Sequence, residues 1–283
     1  MPELPADLAR QVEAALREDL GSGDVTAILV PAAQRVQGRV TTREPAVLCG
    51  RAWVDETFRQ LDPKVQLTWH AADGAQVAAE QIIFAIAGPA RPVLSGERTA
   101  LNFLQLLCGT ATTTRRFVDA VAGTHCRILD TRKTVPGLRT AQKYAVRCGG
   151  AQNHRMGLFD QVLIKENHIA AAGSLTGAIE AARRDAAGVA IEVEVETLSE
   201  LREALNARPD IIMLDEFSLE DMRSAVALNR AHGGPAKLEV SGSVSLEAVR
   251  AIADTGVDYI SVGALTKHVR AIDLSMRLQF GGG

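Results

Sequence analysis

The chain has 283 residues, 47% of them hydrophobic and 23% charged, with a formal net charge of −3. That length holds one large or two modest domains, and the composition is ample for a buried core. The slight acidity excludes a general nucleic-acid binder, and no apolar run approaches the ~20 residues of a membrane-spanning helix.

Aromatic residues are only 4% of the chain, which suits helices packed on a buried parallel sheet better than an aromatic-rich sandwich. The four cysteines, Cys49, Cys108, Cys126 and Cys148, are scattered with no CxxC pair. They read as reduced thiols of a cytoplasmic protein. The N-terminus lacks a basic stretch leading into an apolar run, so no secretory leader is expected.

Residues 1–110 read as a small α+β domain. A helix is predicted over Leu8–Glu18. Short β-like runs follow at Gln37–Thr42, Val47-Leu48, Val65–Trp69 and Ile82–Ile86, with a tight turn at Asp73-Gly74. A second helix is expected after Ser95 as N-cap, with Leu101, Leu104 and Leu107 at helical spacing.

Residues 111–283 change pattern. Six apolar runs alternate with helical stretches: Arg127–Asp130, Gln161–Lys165, Ile191–Val195, Asp210–Asp215, Lys237–Ser241 and Tyr259–Val262. Helix starts are expected at Thr197, Ser218 and Ser245. This alternation predicts a parallel α/β sheet. Each run ends in, or is followed at once by, a polar residue or glycine, as the strands of an α/β barrel do at an active site. The periodicity leaves a closed barrel, an open barrel and a doubly wound sheet all in play. Gly281-Gly282-Gly283 reads as a frayed end.

Charge is distributed unevenly. Residues 130–168 hold seven lysines and arginines against three acids, so an acidic chain concentrates its cations in one segment. A solvated basic surface is the plainer account. The cations, however, sit at the ends of apolar runs, which favours a preorganised anion site. In Ile191-Glu-Val-Glu-Val-Glu196 the three glutamates share one strand face and the valines the other. Facing a barrel interior they would need cations or a metal ion to neutralise them, and with Asp215 at another strand end they suit Mg2+; an edge strand with a solvated acidic face is the plainer account. Ser241-Gly242-Ser243 and Gly263 are small residues at strand ends, where backbone N–H groups can approach a phosphate. Arg98 is predicted in the first turn of the helix after Ser95. A cation there opposes the helix dipole, so Arg98 is either offset by Glu97 or reaches out to an anion.

The runs Asp130-Thr-Arg-Lys-Thr-Val-Pro-Gly-Leu-Arg139, Gly149-Gly150 with His154-Arg155, and Leu163-Ile-Lys-Glu-Asn-His168 resemble those of the quinolinate phosphoribosyltransferases. These are the decarboxylating, type II phosphoribosyltransferases of NAD biosynthesis. The resemblance runs from Glu18-Asp-Leu-Gly21 and Gly23-Asp-Val-Thr26, through Glu97–Leu104, to Ser261–Thr266. It implies an incomplete, open α/β barrel preceded by a smaller α/β sandwich domain, with the last residues packing back on the N-terminal domain. It also implies a homodimer whose active sites are shared across the interface.

The resemblance further assigns roles. Arg132, His154, Arg155 and Lys165, with the partner's Arg98, would bind the two carboxylates of quinolinate. Lys133 and Lys143 would lie near the pyrophosphate leaving group. Glu194 and Asp215 would bind the ribose hydroxyls and Mg2+ of phosphoribosyl pyrophosphate, and with Lys133 they are the catalytic candidates. The choice of Glu194 over Glu196 follows the family's alignment. Ser241, Gly242, Ser243 and Gly263 would hold phosphate, with Ser243 standing where the family usually has the longer Asn. Arg139 and Lys267 are further candidates. Three other readings stay open: a paralogue of the molybdenum-transport type, a Schiff-base lyase using Lys133 or Lys165, and a non-catalytic module binding dicarboxylate or phosphate.

Overall fold

The structure is a computed structural model that describes residues 2–280, so the C-terminal Gly281–Gly283 lies outside the described residues. The chain opens with α1 (Leu8–Leu20), β1 (Arg35–Thr42), β2 (Ala46–Val47), α2 (Arg51–Leu61), β3 (Gln66–Trp69), β4 (Gln76–Val77), β5 (Ile82–Pro89) and α3 (Ala90–Ala120). There follow β6 (Arg127–Leu129), α4 (Arg139–Gly149), β7 (Gln161–Ile164), α5 (Glu166–Ala172), α6 (Leu175–Asp185), β8 (Ala190–Val195) and α7 (Leu198–Ala207). The chain continues through β9 (Ile211–Asp215), α8 (Leu219–Ala231), β10 (Lys237–Ser241), α9 (Val249–Ala253), β11 (Tyr259–Ser261), α10 (Ala264–Lys267) and β12 (Leu274–Phe280).

Two compact units divide these elements. The first takes the chain up to Arg115, Thr134–Gly150 and everything from Leu265 onward. Its main sheet is antiparallel in the order β12-β1-β5-β3. Alternate residues of β1, Val36 and Val40, are buried, and they pack with Phe84, Ile86, Val54 and Phe58 in one core. A second core centres on Trp53, whose ring lies 5.3 Å from that of Tyr144. The C-terminal β12 pairs along the whole of β1, from Val36–Phe280 to Thr42–Leu274.

One expectation in this unit is overturned. Ser95 does not cap a helix, because β5 runs straight into α3 at Ala90. Pro92 sits in the first turn, where its missing N–H costs nothing. The Ser95 hydroxyl instead donates to Asp24 at 2.7 Å. Arg98 is therefore well inside α3 rather than in its first turn, and the dipole argument for it lapses. Helix α2 was not anticipated, although Trp53, Val54, Thr57 and Phe58 recur on its buried face.

The second unit comprises Arg116–Lys133 and Ala151–Ala264. All six expected strands are present in one parallel sheet, ordered β6-β11-β10-β9-β8-β7. From β7 to β11 each strand lies beside the previous one, and β6 then joins β11. A doubly wound sheet reverses direction after its first strands; this order never does. It is a barrel left open between β6 and β7, with only a bridge from Leu129 to Gln152 added at the β6 edge. Strand β8 lies between β7 and β9, so its acidic face is not an edge. Helix α7 starts at the expected Thr197, whose side chain and that of Glu200 cap each other's backbone. Ser218 likewise accepts the Asp221 N–H. Ser245 receives the Ala248 N–H at 3.3 Å, but regular helix begins only at Val249.

Candidate active site

A cavity of about 530 Å³ opens at the C-terminal ends of the second unit's strands, as barrel geometry requires. It is lined by Arg132, Lys133, His154, Arg155, Lys165, Glu194, Asp215, Ser241, Gly242 and Ser243, and also by Glu216 and Ser261. Gly263 lies beside Lys133, and a Cβ there would meet the Lys133 Cδ at 3.1 Å. Eleven sequence-predicted residues thus meet at one place. Arg98, Arg139, Lys143 and Lys267 belong to the first unit. There Arg98 and Lys267 are exposed, Arg139 is half-buried on α4, and Lys143 is fully buried.

The cationic side is built by two loops. Asp130, just past β6, is fully buried and accepts bonds from Asn153 Nδ2 at 2.6 Å and the His154 N–H at 2.9 Å. A buried carboxylate is retained only with such donors, and here it fixes the backbone carrying His154 and Arg155. Burial and the neighbouring Arg132 charge hold the Arg155 guanidinium below its usual pKa. Two guanidiniums crowded in this way favour an anion between them. Lys165 follows β7 directly as the N-cap of α5. Its N–H donates to His168 Nδ1 at 3.0 Å, so the last residue of the Lys-Glu-Asn-His run fixes the backbone of the first.

The acidic side comes from β8 and β9. Burial grades along the glutamate face: Glu192 is fully buried, Glu194 half-buried and Glu196 exposed. Glu194 is ion-paired with Lys165. Glu194 and Asp215 both face the cavity, while the Glu196 N–H is tied to the α7 cap through Glu200 at 2.8 Å. Glu216 adopts a left-handed φ of 52°, a strained choice for a non-glycine residue that recurs at functional sites. Its carboxylate closes on Gly242, where φ is +131° and a Cβ would come within 2.9 Å of it. The φ requires glycine there, whereas the Glu216 carboxylate, at the end of a flexible side chain, could move aside.

Glu239 has no place in the sequence reading, and Glu192 enters it only as one of three acids on a strand face. Both are wholly buried beneath the cavity. His154 Nε2 lies 2.9 Å from Glu192 and 3.6 Å from Glu239, and the Ser261 hydroxyl donates to Glu239. A signal existed: Glu239 alternates with Lys237 and Ser241 on one face of β10.

Comparison with known proteins bears on the whole chain. A family model described as quinolinate phosphoribosyl transferase, C-terminal domain, matches residues 110–277, and its N-terminal counterpart matches residues 24–108. The chain is 44% identical over 261 residues to a probable nicotinate-nucleotide pyrophosphorylase [carboxylating] of Bacillus subtilis (strain 168), covering 92% of this chain and 89% of that one. It is 43% identical to the nicotinate-nucleotide pyrophosphorylase [carboxylating] of Mycobacterium leprae (strain TN), covering 96% and 98%. The solved nicotinate-nucleotide pyrophosphorylase of Francisella tularensis superposes with a TM-score of 0.94 at 47% identity, covering 98% of both chains. Matched along nearly its full length in sequence and in fold, the chain belongs to the quinolinate phosphoribosyltransferase family.

Proposed function

We propose that the chain converts quinolinate and phosphoribosyl pyrophosphate into nicotinate mononucleotide, CO2 and pyrophosphate. The observation that carries this is one cavity lined both by the cations Arg132, Arg155 and Lys165 and by the carboxylates of Glu194 and Asp215. Quinolinate is a pyridine with two adjacent carboxylates, and guanidinium forks match carboxylates in pairs. The carboxylates suit the sugar. As pyrophosphate leaves, the ribose carbon gains positive charge, which nearby carboxylates stabilise. Lys133, lying over Gly263, supplies positive charge for phosphate oxygens.

The ring nitrogen then attacks the ribose carbon. Once ribosylated, it is a cation that can hold the electron pair left when the adjacent carboxylate departs as CO2. The residues needed are therefore ones that bind, orient and balance charge, and no protein nucleophile takes part.

Glu194 and Asp215 offer hard oxygen donors that fit Mg2+, which takes one or two carboxylates and fills its shell from substrate oxygens. Bound there, the ion would offset the charge of the phosphates. The working form is proposed as a cytoplasmic homodimer in which Arg98 serves the partner subunit's site; the family resemblance and the exposure of Arg98 support this.

Purified protein with quinolinate, phosphoribosyl pyrophosphate and Mg2+ should yield nicotinate mononucleotide and pyrophosphate in equal amounts, read by chromatography. EDTA should abolish the activity and Mg2+ restore it. Nicotinate should be a far poorer substrate, because cations placed for a second carboxylate are left unpaired. Equal kcat/KM for the two acids, or no product from quinolinate, would overturn the reading.

A further inference from the structure

Three side chains converge on one point beneath the cavity. Glu192 and Glu239 are each 0% exposed, and His154 Nε2 stands within 3.6 Å of both. His154 Nδ1 accepts the Arg155 N–H at 2.7 Å, so the ring proton sits on Nε2, the nitrogen nearer the carboxylates. Gln161 Nε2 also donates to Glu192, at 2.7 Å.

A second buried carboxylate beside it cannot ionise cheaply. Burial and the Glu192 charge push Glu239 up to about 8, and Glu239 carries a proton at neutral pH. A path connects this proton to the cavity: the Ser261 hydroxyl is hydrogen-bonded to Glu239 and also lines the substrate space.

The reaction proposed above needs such a proton. When the carboxylate next to the ring nitrogen leaves, the bond to CO2 breaks and its electron pair stays on the ring carbon. That carbon must gain a proton to become the C–H of nicotinate. We propose that Ser261 delivers this proton and that Glu239, with Glu192 and His154 behind it, is the store that recharges Ser261. The inference rests on the proposed decarboxylating reaction. In the step, the Ser261 O–H bond breaks as the ring C–H bond forms, and the serine oxygen takes the proton of Glu239. Glu239 is left as a carboxylate beside Glu192 and regains a proton from water before the next turnover. Each cycle consumes one proton and releases one CO2. Ser261 touches the reacting carbon; Glu239 acts through it.

The test separates the two halves of the reaction in a single turnover, following pyrophosphate for phosphoribosyl transfer and nicotinate mononucleotide for decarboxylation. In Glu239→Gln, pyrophosphate should appear at close to the wild-type rate. Nicotinate mononucleotide should form about 100-fold more slowly, the lower end of a general acid's contribution. The mononucleotide still bearing both carboxylates should accumulate, visible by mass spectrometry. Ser261→Ala should behave the same way, and it leaves the buried carboxylates in place should Glu239→Gln fold poorly. In the wild type, the decarboxylation rate should fall as pH rises through the range where Glu239 ionises, and this limb should be absent in Glu239→Gln.

Wild-type decarboxylation in both variants, or equal slowing of the two products, would overturn the proposal. So would a stoichiometric divalent ion that survives dialysis against chelator and is lost in Glu239→Gln. The ligand atoms of His154, Glu192 and Glu239 lie within 4.8 Å of one another, and that result would assign the cluster to a metal. If the wild type releases no pyrophosphate from the two substrates, the functional reading itself has failed and this inference falls with it.

Discussion

Glu239 puts a titratable group where the fold has no water to offer it. In the folded chain, burial and the Glu192 charge raise its pKa to about 8; in the unfolded chain it titrates as an ordinary carboxylate. Between those values the folded state binds the extra proton, so stability falls as pH rises across the window. The stabilising effect of that proton is complete below the unfolded pKa and lost above about 8. Glu239→Gln keeps a neutral side chain at every pH. Its melting temperature should therefore gain on the wild type as pH climbs from 5 to 9, as thermal unfolding at each pH would show. A constant difference would mean that Glu239 ionises freely in the fold. The cations of the site were legible because charge next to glycine at strand ends stands out against an acidic chain. The buried acids were not, because a glutamate on an inward strand face becomes significant only beside its neighbour. Glu192 lies on β8 and Glu239 on β10, with β9 between them, and no spacing in the sequence brings them together.

At the level of elements, local signals held where they were sufficient in themselves. Thr197 with Glu200 satisfies two backbone N–H groups at the start of α7, and the pattern reads from four residues alone. Thr197→Ala should lower the unfolding free energy by about 1 kcal/mol, measured by urea denaturation with an unchanged m-value. A loss below a few tenths would mean that water replaces the cap at no cost. Ser95 looked equally good, yet the chain was already helical from Ala90. A serine is a cap only if the residues before it leave the helix, and β5 passes into α3 through Pro89, Ala90 and Pro92 without leaving room for a turn. Asp24, more than seventy residues away in the chain, claims the Ser95 hydroxyl instead. Such a partner is set by tertiary structure, and propensity carries no trace of it. Tertiary structure also decides that α3 runs on through residue 110 to Ala120, and that Thr134–Gly150 and the C-terminal strand β12 belong with the first unit.

For the whole molecule, strand and helix alternation was enough to identify a parallel α/β sheet but not the open barrel, in which β6 joins β11 and the gap falls between β6 and β7. The assembly beyond one chain is open to a direct test. Arg98 is exposed on α3 of the first unit, whereas Lys133 lines the cavity of the second. If Arg98 serves the partner subunit's site, Arg98→Ala should fold, since an exposed side chain contributes little to a core, and yet be inactive. Lys133→Ala should be inactive as well. In a mixed dimer, one of the two sites combines an intact Lys133 with an intact Arg98 from the other chain, and the second site lacks both. Random reassortment makes half of the dimers mixed, so recovered activity should approach about a quarter of wild type for independent sites. Mass spectrometry of differently tagged chains would establish the exchange, and the rate of nicotinate mononucleotide formation would be read on the mixture. Confirmed mixed dimers without recovered activity would mean that Arg98 acts within its own chain.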